Sequence, residues 1–426
     1  MINKYYLRSF KAVQYLYSIK INRFLYYVVR YSYSAARLLP LYVLRGIFTL
    51  MSRRKSLWLF GARGGFTFSD NTKYLFLYVQ KECKDIDAIW ITKNRTVVHD
   101  LRERQLPVYY AYSIKGIFFC LRAKIIFTTH GKGDINPTLT GGSIHIELYH
   151  FVIAFKKLRY DLFNYYPLFR KIELELLNPF IYFKPDYAIS SSPFAAQKVI
   201  SSLGLNQENV FLTGLPRTDA VLKETGEDRE NIQKILGNQK YSHLIYYTPT
   251  FREDNQDFDY FSCGLNKDHL IDFLGKTDSV LILRFHPSDT LRMKKESESN
   301  ITSHPRIIFE NHDLSDPFSL LKQASVLITD YSGIYVDYLL MNRPIIFANF
   351  DHQGYVNARE LDWNYDEITP GPKAENWEIL LSHLENIIVH QKDEYQEARQ
   401  KLMDKVYQYK DSNSCARIVK EIYRIV

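Results

Sequence analysis

Cysteine is scarce: Cys83, Cys120, Cys263 and Cys415 are the four in 426 residues, and none forms a C-x-x-C pair. That scatter gives no support to a disulfide framework or a thiolate zinc site, and it fits a reducing compartment. Long uncharged apolar runs are missing too. Lys or Arg interrupts every candidate before it reaches the roughly 18 apolar residues a spanning helix needs. The same interruptions, with no small-residue cleavage site after them, argue against a secretory signal. Acid is absent before Asp70, while residues 1–55 hold eleven Lys or Arg. The overall charge of +8 is therefore local, since the rest of the chain carries 44 basic and 47 acidic residues, a net −3. A nucleic-acid binder would more often spread basic charge over a folded face. No nucleic-acid partner is expected.

Familiar ligand motifs are also missing. Gly61-Ala62-Arg63-Gly64-Gly65 follows an apolar run but is neither G-x-G-x-x-G nor a P-loop, so it points to no dinucleotide or ATP cofactor. No H-E-x-x-H occurs, and His145 and His150, five apart, would not share a helical face. Asp85-Ile86-Asp87 and Asp257-Phe258-Asp259 match a metal-binding D-x-D, a triplet that chance supplies easily. No metal and no cofactor is expected.

What the chain has in excess is aromatic side chain, with 33 Tyr and 27 Phe. In residues 1–55 these mix with Leu, Ile and the unopposed cations, which predicts amphipathic helices lying on an anionic membrane surface. The competing reading is a helical pair docked on the protein's own body. From residue 56 onward, short apolar runs alternate with polar helical stretches. Strands are expected at 57–60, 88–92, 108–112, 125–129, 187–190 and 210–213, then at 244–247, 280–284, 326–329 and 344–348. The polar stretch 223–242 separates the series. This predicts an arm (1–55) and two Rossmann-like α/β domains (56–230 and 231–426) facing a cleft. The aromatic, Lys-rich segment 144–184 reads as a buried helical pair, or else as a second membrane-contacting surface.

Three strand ends in the second series carry anion-binding chemistry. Thr248-Pro249-Thr250-Phe251-Arg252 offers hydroxyls and a guanidinium, and Arg284-Phe285-His286-Pro287 a guanidinium and an imidazole. Asp330-Tyr331-Ser332-Gly333 opens a helix whose first amides would point at a ligand. Taken singly, Arg252 could be a salt-bridge partner, His286 a helix cap, and the Thr213–Asp219 segment a tight turn. Three in succession suggest a diphosphate site.

Together these strings resemble the CDP-glycerol glycerophosphotransferases, the teichoic-acid primases and polymerases of bacterial envelopes. The resemblance covers about residues 57–384. It rests on Ser69-Asp70-Asn71, Gly214-Leu215-Pro216-Arg217-Thr218-Asp219, the three strand ends above, Asp337-Tyr338, Arg343-Pro344-Ile345-Ile346-Phe347, Asp351, Tyr355 and Pro370-Gly371-Pro372. The family's Trp-His-Gly-x-Pro-Leu-Lys motif is altered: Tyr149-His150-Phe151 stands in its place, with Lys156 following, and the second serine of Asp-Tyr-Ser-Ser is Gly333.

The resemblance implies a GT-B-like fold with the acceptor on the first domain and the nucleotide on the second. It implies transfer of a polyol phosphate, glycerol phosphate above all, from a CDP-polyol to a hydroxyl of a polymer or lipid-linked acceptor, with release of CMP. It further implies a peripheral site of action at the cytoplasmic face of the membrane. His150 is the candidate base by position, and His130 of His130-Gly131-Lys132-Gly133 by local chemistry. His286 would serve the departing CMP. Thr250, Arg252, Arg284, Asp330, Ser332, Gly333, Gly214 and Arg217 would hold the diphosphate, with Asp70 and Asn71 on the acceptor side. A nucleotide-sugar glycosyltransferase and an inactive membrane scaffold are the alternative readings.

Overall fold

The two series of apolar runs become two parallel sheets, because strands covered on both faces need nearly continuous apolar sequence. The computed structural model describes residues 23–153, 157–177, 183–250, 252, 258–285, 304–310, 317–352, 354 and 363–426. The first sheet comprises β1 (Arg54–Phe60), β2 (Asp87–Thr92), β3 (Val108–Tyr110), β4 (Ala123–Thr128), β5 (Ile144–Glu147), β6 (Tyr187–Ser190) and β7 (Val210–Leu212). Its order is β3-β2-β1-β4-β5-β6-β7. The second comprises β8 (His243–Tyr247), β9 (Ser279–Leu283), β10 (Ile307–Phe309), β11 (Val326–Thr329), β12 (Ile345–Ala348) and β13 (Lys373–Ala374), in the order β10-β9-β8-β11-β12-β13. Neighbouring strands run parallel in both. Renumbered within each domain, both follow the Rossmann order 3-2-1-4-5-6, with a seventh strand added at the edge of the first. Each places a ligand crevice beyond the carboxyl ends of its first and fourth strands.

All ten expected strands are present, and three more join them. β10 and β13 are short edge strands, but β5 sits inside the first sheet between β4 and β6. Segment 144–184 is therefore not a helical pair. It begins as a strand and continues through the 3-10 helix Arg159–Tyr165 and the helix Leu168–Leu177. The strand was hidden because His145 and Glu147 alternate with its two isoleucines, and both polar side chains are buried.

The carboxyl-terminal end of the chain packs on the first domain. After helix Gln396–Val406 the chain returns to the first domain, where Ser191 Oγ donates to the Val406 carbonyl at 2.8 Å and the Gln408 amide to the Ser191 carbonyl at 2.9 Å. Asp219 then receives the amides of Ser414 and Cys415, at 2.9 Å each, at the start of helix Ser414–Ile425. Gly214 (φ 80°) lies beneath that helix start, where an added Cβ would stand 2.4 Å from Ser414 Oγ. One buried apolar cluster runs from Phe60 and Phe76 through Leu215 and Ile418 to Tyr335 and Phe347, joining the two domains through a common core.

Residues 1–22 of the expected arm lie outside the described residues. Of the rest, Arg23–Thr49 forms a helix whose carboxyl end docks on the first domain, and Arg54 and Lys55 open β1. Arg45 donates to the Pro137 carbonyl and lies 4.6 Å over the Phe183 ring, and Tyr42 donates to the Leu176 carbonyl at 3.1 Å. Gly141 permits this approach, since a Cβ there would meet the Arg45 carbonyl at 2.6 Å. Leu39, Val43 and Ile47 on the helix, and Leu50 just past its end, nonetheless remain more than half exposed. No helix among the described residues is long and apolar enough to cross a membrane.

Candidate functional site

Backbone amides at a strand's carboxyl end have left their ladder and need acceptors. Each domain meets this need with a buried aspartate after its fourth strand. In the first domain, Asp134 accepts from the amides of Thr129 (2.8 Å) and His130 (2.9 Å) beyond β4, and from Gly64 (2.6 Å) in the turn beyond β1. In the second, Asp330 accepts from Tyr331 N (2.6 Å), Thr250 N (2.9 Å) and Thr250 Oγ1 (2.6 Å), the threonine lying beyond β8. The crossing from first to fourth strand is the same in both. Burial pushes the Asp134 carboxyl up to about 7, the nearby Glu147 adds to this, and the amides oppose it.

The Asp134 turn carries His130, and the segment after β5 carries His150. Their rings stack at 4.0 Å with 14° between planes. The two imidazoles offered as alternatives by the sequence thus occupy one place. His150 Nδ1 lies 3.2 Å from the Thr129 carbonyl, which can only accept, so Nδ1 holds the proton and Nε2 keeps a lone pair. The Thr129 hydroxyl lies 3.3 Å from Asp134, to which it donates, and so receives the His130 Nδ1 proton at 2.9 Å. Burial holds both rings well below the usual histidine range, His150 at about 4. His150 is pulled back up by Asp70 and Glu147, and Arg63 works against both rings. At neutral pH the pair is uncharged, with two bare Nε2 atoms.

Behind the pair lies a polar cluster within the sheet. Thr128 Oγ1 bonds His145 Nε2 at 2.6 Å and Glu147 Oε2 at 2.8 Å, with all three side chains fully buried. Sequence reading passed over Thr128, Asp134 and Glu147. Asp134, four residues beyond His130, had the spacing to turn back on that loop.

In the second domain the side chains expected on a diphosphate divide into two groups. Arg252 is committed internally: its Nε and Nη2 grip Asp351 at 2.6 and 2.8 Å, Nη2 also meets Asp330 at 2.8 Å, and Nη1 donates to the Thr250 carbonyl at 2.6 Å. Thr250 and Asp330 satisfy each other. These three brace the turn through one another. Arg284 pairs with buried Glu310 at 2.5 Å yet keeps its side chain 14% exposed. Ser332 and Gly333 are half-buried at the start of helix Ile334–Tyr338, with open space where a Gly333 Cβ would lie. His286, Phe251 and Asp257 lie outside the described residues.

Four more of the expected site residues, Gly214, Asp70, Asn71 and Arg217, are buried. Gly214 serves the packing described above. Asp70 and Asn71 are buried, Asn71 completely, so they support the acceptor side without lining it. Arg217 is 5% exposed and bonded to Asp337, with Asp70 at 3.5 Å. The acids of the first D-x-D are also engaged, Asp85 by Tyr423 and Asp87 by Arg54.

The sequence profile of the CDP-Glycerol:Poly(glycerophosphate) glycerophosphotransferase family matches residues 45–424. The chain belongs to that family. It is 27% identical over 394 residues to the teichoic acid glycerol-phosphate transferase of Staphylococcus aureus, covering 88% of this chain and 96% of that protein. It is 26% identical over 236 residues to the S. aureus teichoic acid ribitol-phosphate polymerase TarK, 54% of this chain but only 43% of the relative. The chain thus spans about two fifths of TarK. Among solved structures, the wall teichoic acid polymerase TagF superposes with a TM-score of 0.70 at 21% identity, over 93% of this chain and 98% of that one. The UDP-GlcNAc 2-epimerase of Methanocaldococcus jannaschii superposes at 0.53 with 14% identity, over 86% and 99%. These likenesses establish the two-domain fold.

The bracing role of Arg252 makes a definite demand on stability. Arg252→Ala leaves the Asp330 and Asp351 carboxylates buried without their cation, and should cost about 3–5 kcal/mol. Chemical denaturation reads this directly. A variant of unchanged stability with weakened nucleotide binding would restore Arg252 to the ligand.

Proposed function

We propose that this chain transfers glycerol phosphate from CDP-glycerol to a hydroxyl of a teichoic-acid-type acceptor and releases CMP. The observation that carries this reading is the neutral His130–His150 pair with bare Nε2 atoms, set in the acceptor-side domain of a family defined by this transfer. A relative covered over 96% of its length transfers glycerol phosphate, and TagF has been studied with a CDPG soak. In the proposed step the acceptor oxygen attacks the phosphorus bearing glycerol while its proton passes to His150 Nε2. The bond from that phosphorus to the bridging oxygen breaks, and CMP leaves with the electron pair. Asp70 and Glu147 favour the imidazolium that forms. Arg284, Ser332 and the Gly333 amide would hold the diphosphate, and His286 would serve the CMP phosphate.

The reading includes a membrane surface as the place of work. The exposed face of helix Arg23–Thr49 is joined to helix Leu168–Leu177, where Leu168, Phe169, Ile172 and Leu176 are also exposed. Two adjacent apolar faces beside a basic segment suit an anionic interface.

With CDP-glycerol and a teichoic-acid primer, the wild type should release CMP, and it should release no UDP from UDP-sugars. His150→Ala should lose about 10²–10⁴ in rate while still binding CDP-glycerol. Full turnover by His150→Ala with an inactive His130→Ala would transfer the base role to His130. Release of UDP instead of CMP would replace the reading with a glycosyltransferase.

On sedimentation with anionic vesicles, a Leu39→Glu/Ile47→Glu double variant should stay in the supernatant while the wild type pellets. Equal pelleting would detach the membrane role from this face.

A further inference from the structure

The carbonyls of Leu148, Tyr149 and His150 come just after β5 ends, and a single cluster captures all three. Asn71 Nδ2 donates to Leu148 O at 3.1 Å and to Tyr149 O at 2.9 Å. Arg217 Nη1 donates to His150 O at 2.7 Å. The Arg217 amide in turn donates to Asn71 Oδ1 at 3.0 Å, so the arginine holds the asparagine that holds the loop. Tyr149 sits at φ 56°, a conformation a bulky side chain keeps only when its surroundings impose it. The ring of His150 is thus aimed by a strained backbone that Asn71 and Arg217 fasten from outside.

The same guanidinium reaches into the other domain. Arg217 Nε donates to Asp337 Oδ1 at 2.9 Å, and Asp337 lies in helix Ile334–Tyr338. That helix begins at the Ser332–Gly333 turn on the donor side. One buried side chain therefore touches both the backbone of the candidate base and the element that opens the candidate donor site.

We infer that Arg217 is a positioning residue that locks the His150 loop to helix Ile334–Tyr338, so that the base is aimed only while the donor-side helix is in place. The inference rests on the transferase reading above for its kinetic part. A buried pair that merely joined two domains could have used any backbone group of the first domain; this one uses the carbonyl of His150.

The charged groups around His150 give the lock a distinct signature. Asp70 faces it from helix Asp70–Glu82 and Glu147 from β5, while Arg63 and His130 face it from the turns beyond β1 and β4. Arg217 stands 3.5 Å from Asp70 and offsets that carboxylate. Removing the arginine's charge leaves Asp70 uncompensated, which favours imidazolium and moves the His150 titration to higher pH. A lysine keeps the charge but cannot span His150 O and Asp337 as a fork does.

The test compares Arg217→Gln and Arg217→Lys in the full chain, using histidine-labelled NMR titration and steady-state CMP release from CDP-glycerol. Both variants should lower kcat on the order of tenfold to a hundredfold, the cost of misplacing a catalytic group, with the CDP-glycerol KM within about twofold. The His150 midpoint should rise in Arg217→Gln and stay near wild type in Arg217→Lys. Should Arg217→Gln fail to fold, Asp337→Asn reads the same link as a fall in kcat at constant KM. A folded Arg217→Lys with wild-type kcat, or an unmoved His150 midpoint in Arg217→Gln, would overturn the inference. A wild type that releases no CMP would refute the transferase reading instead, and the titration, which needs no turnover, would still decide whether Arg217 governs His150.

Discussion

Freed amides at the ends of parallel strands must be satisfied, and in this protein a buried carboxylate does so in each domain. Asp134 draws together the turns beyond β1 and β4, and Asp330 the turns beyond β8 and β11. The rest of the candidate site follows from these two anchors. His130 is placed by the Asp134 turn, and His150 is bonded to the carbonyl of Thr129 in that same turn. On the other side, Asp330 fixes Thr250 and Arg252, and Arg252 fixes Asp351. Among the described residues, Ser332 and Gly333 are half-buried at the turn beyond β11, and Arg284 beyond β9 keeps part of its side chain exposed beside Glu310.

The anchors also explain why the imidazoles are suited to removing a proton. A histidine in water is partly protonated near neutrality, whereas burial keeps this pair neutral. Each Nδ1 proton is given to Thr129, so both lone pairs are at Nε2. Asp70 and Glu147 are near enough to favour the charge once a proton arrives, yet neither bonds either ring directly. Such a pair is neutral at rest, with two carboxylates placed to favour a cation on His150.

Much of the fold was legible in the sequence because apolar runs ending in Gly, Ser, Thr or Asp are the direct imprint of buried parallel strands. β5 was not, since its alternating His145 and Glu147 face a polar cluster inside the sheet, and period-two polarity there mimics an exposed face. The candidate site was legible in residue types but not in their duties. Whether Arg252 meets a phosphate or a carboxylate depends on Asp351, 99 residues further on. Arg217 likewise meets Asp337 across 120 residues. Local spacing carries no record of such pairings. The stacking of His130 on His150 was hidden for the same reason, because it depends on β4 and β5 being neighbours.

The most direct test of this division between anchors and ligands is a structure with CDP-glycerol bound. The account predicts the diphosphate on Ser332, the Gly333 amide and Arg284, with the glycerol-bearing phosphorus toward the Nε2 atoms of His130 and His150. Arg252 should still grip Asp351, and Asp330 should still hold Thr250. A bound state in which Arg252 leaves Asp351 for the phosphate, or in which the phosphorus lies away from both imidazoles, would contradict it.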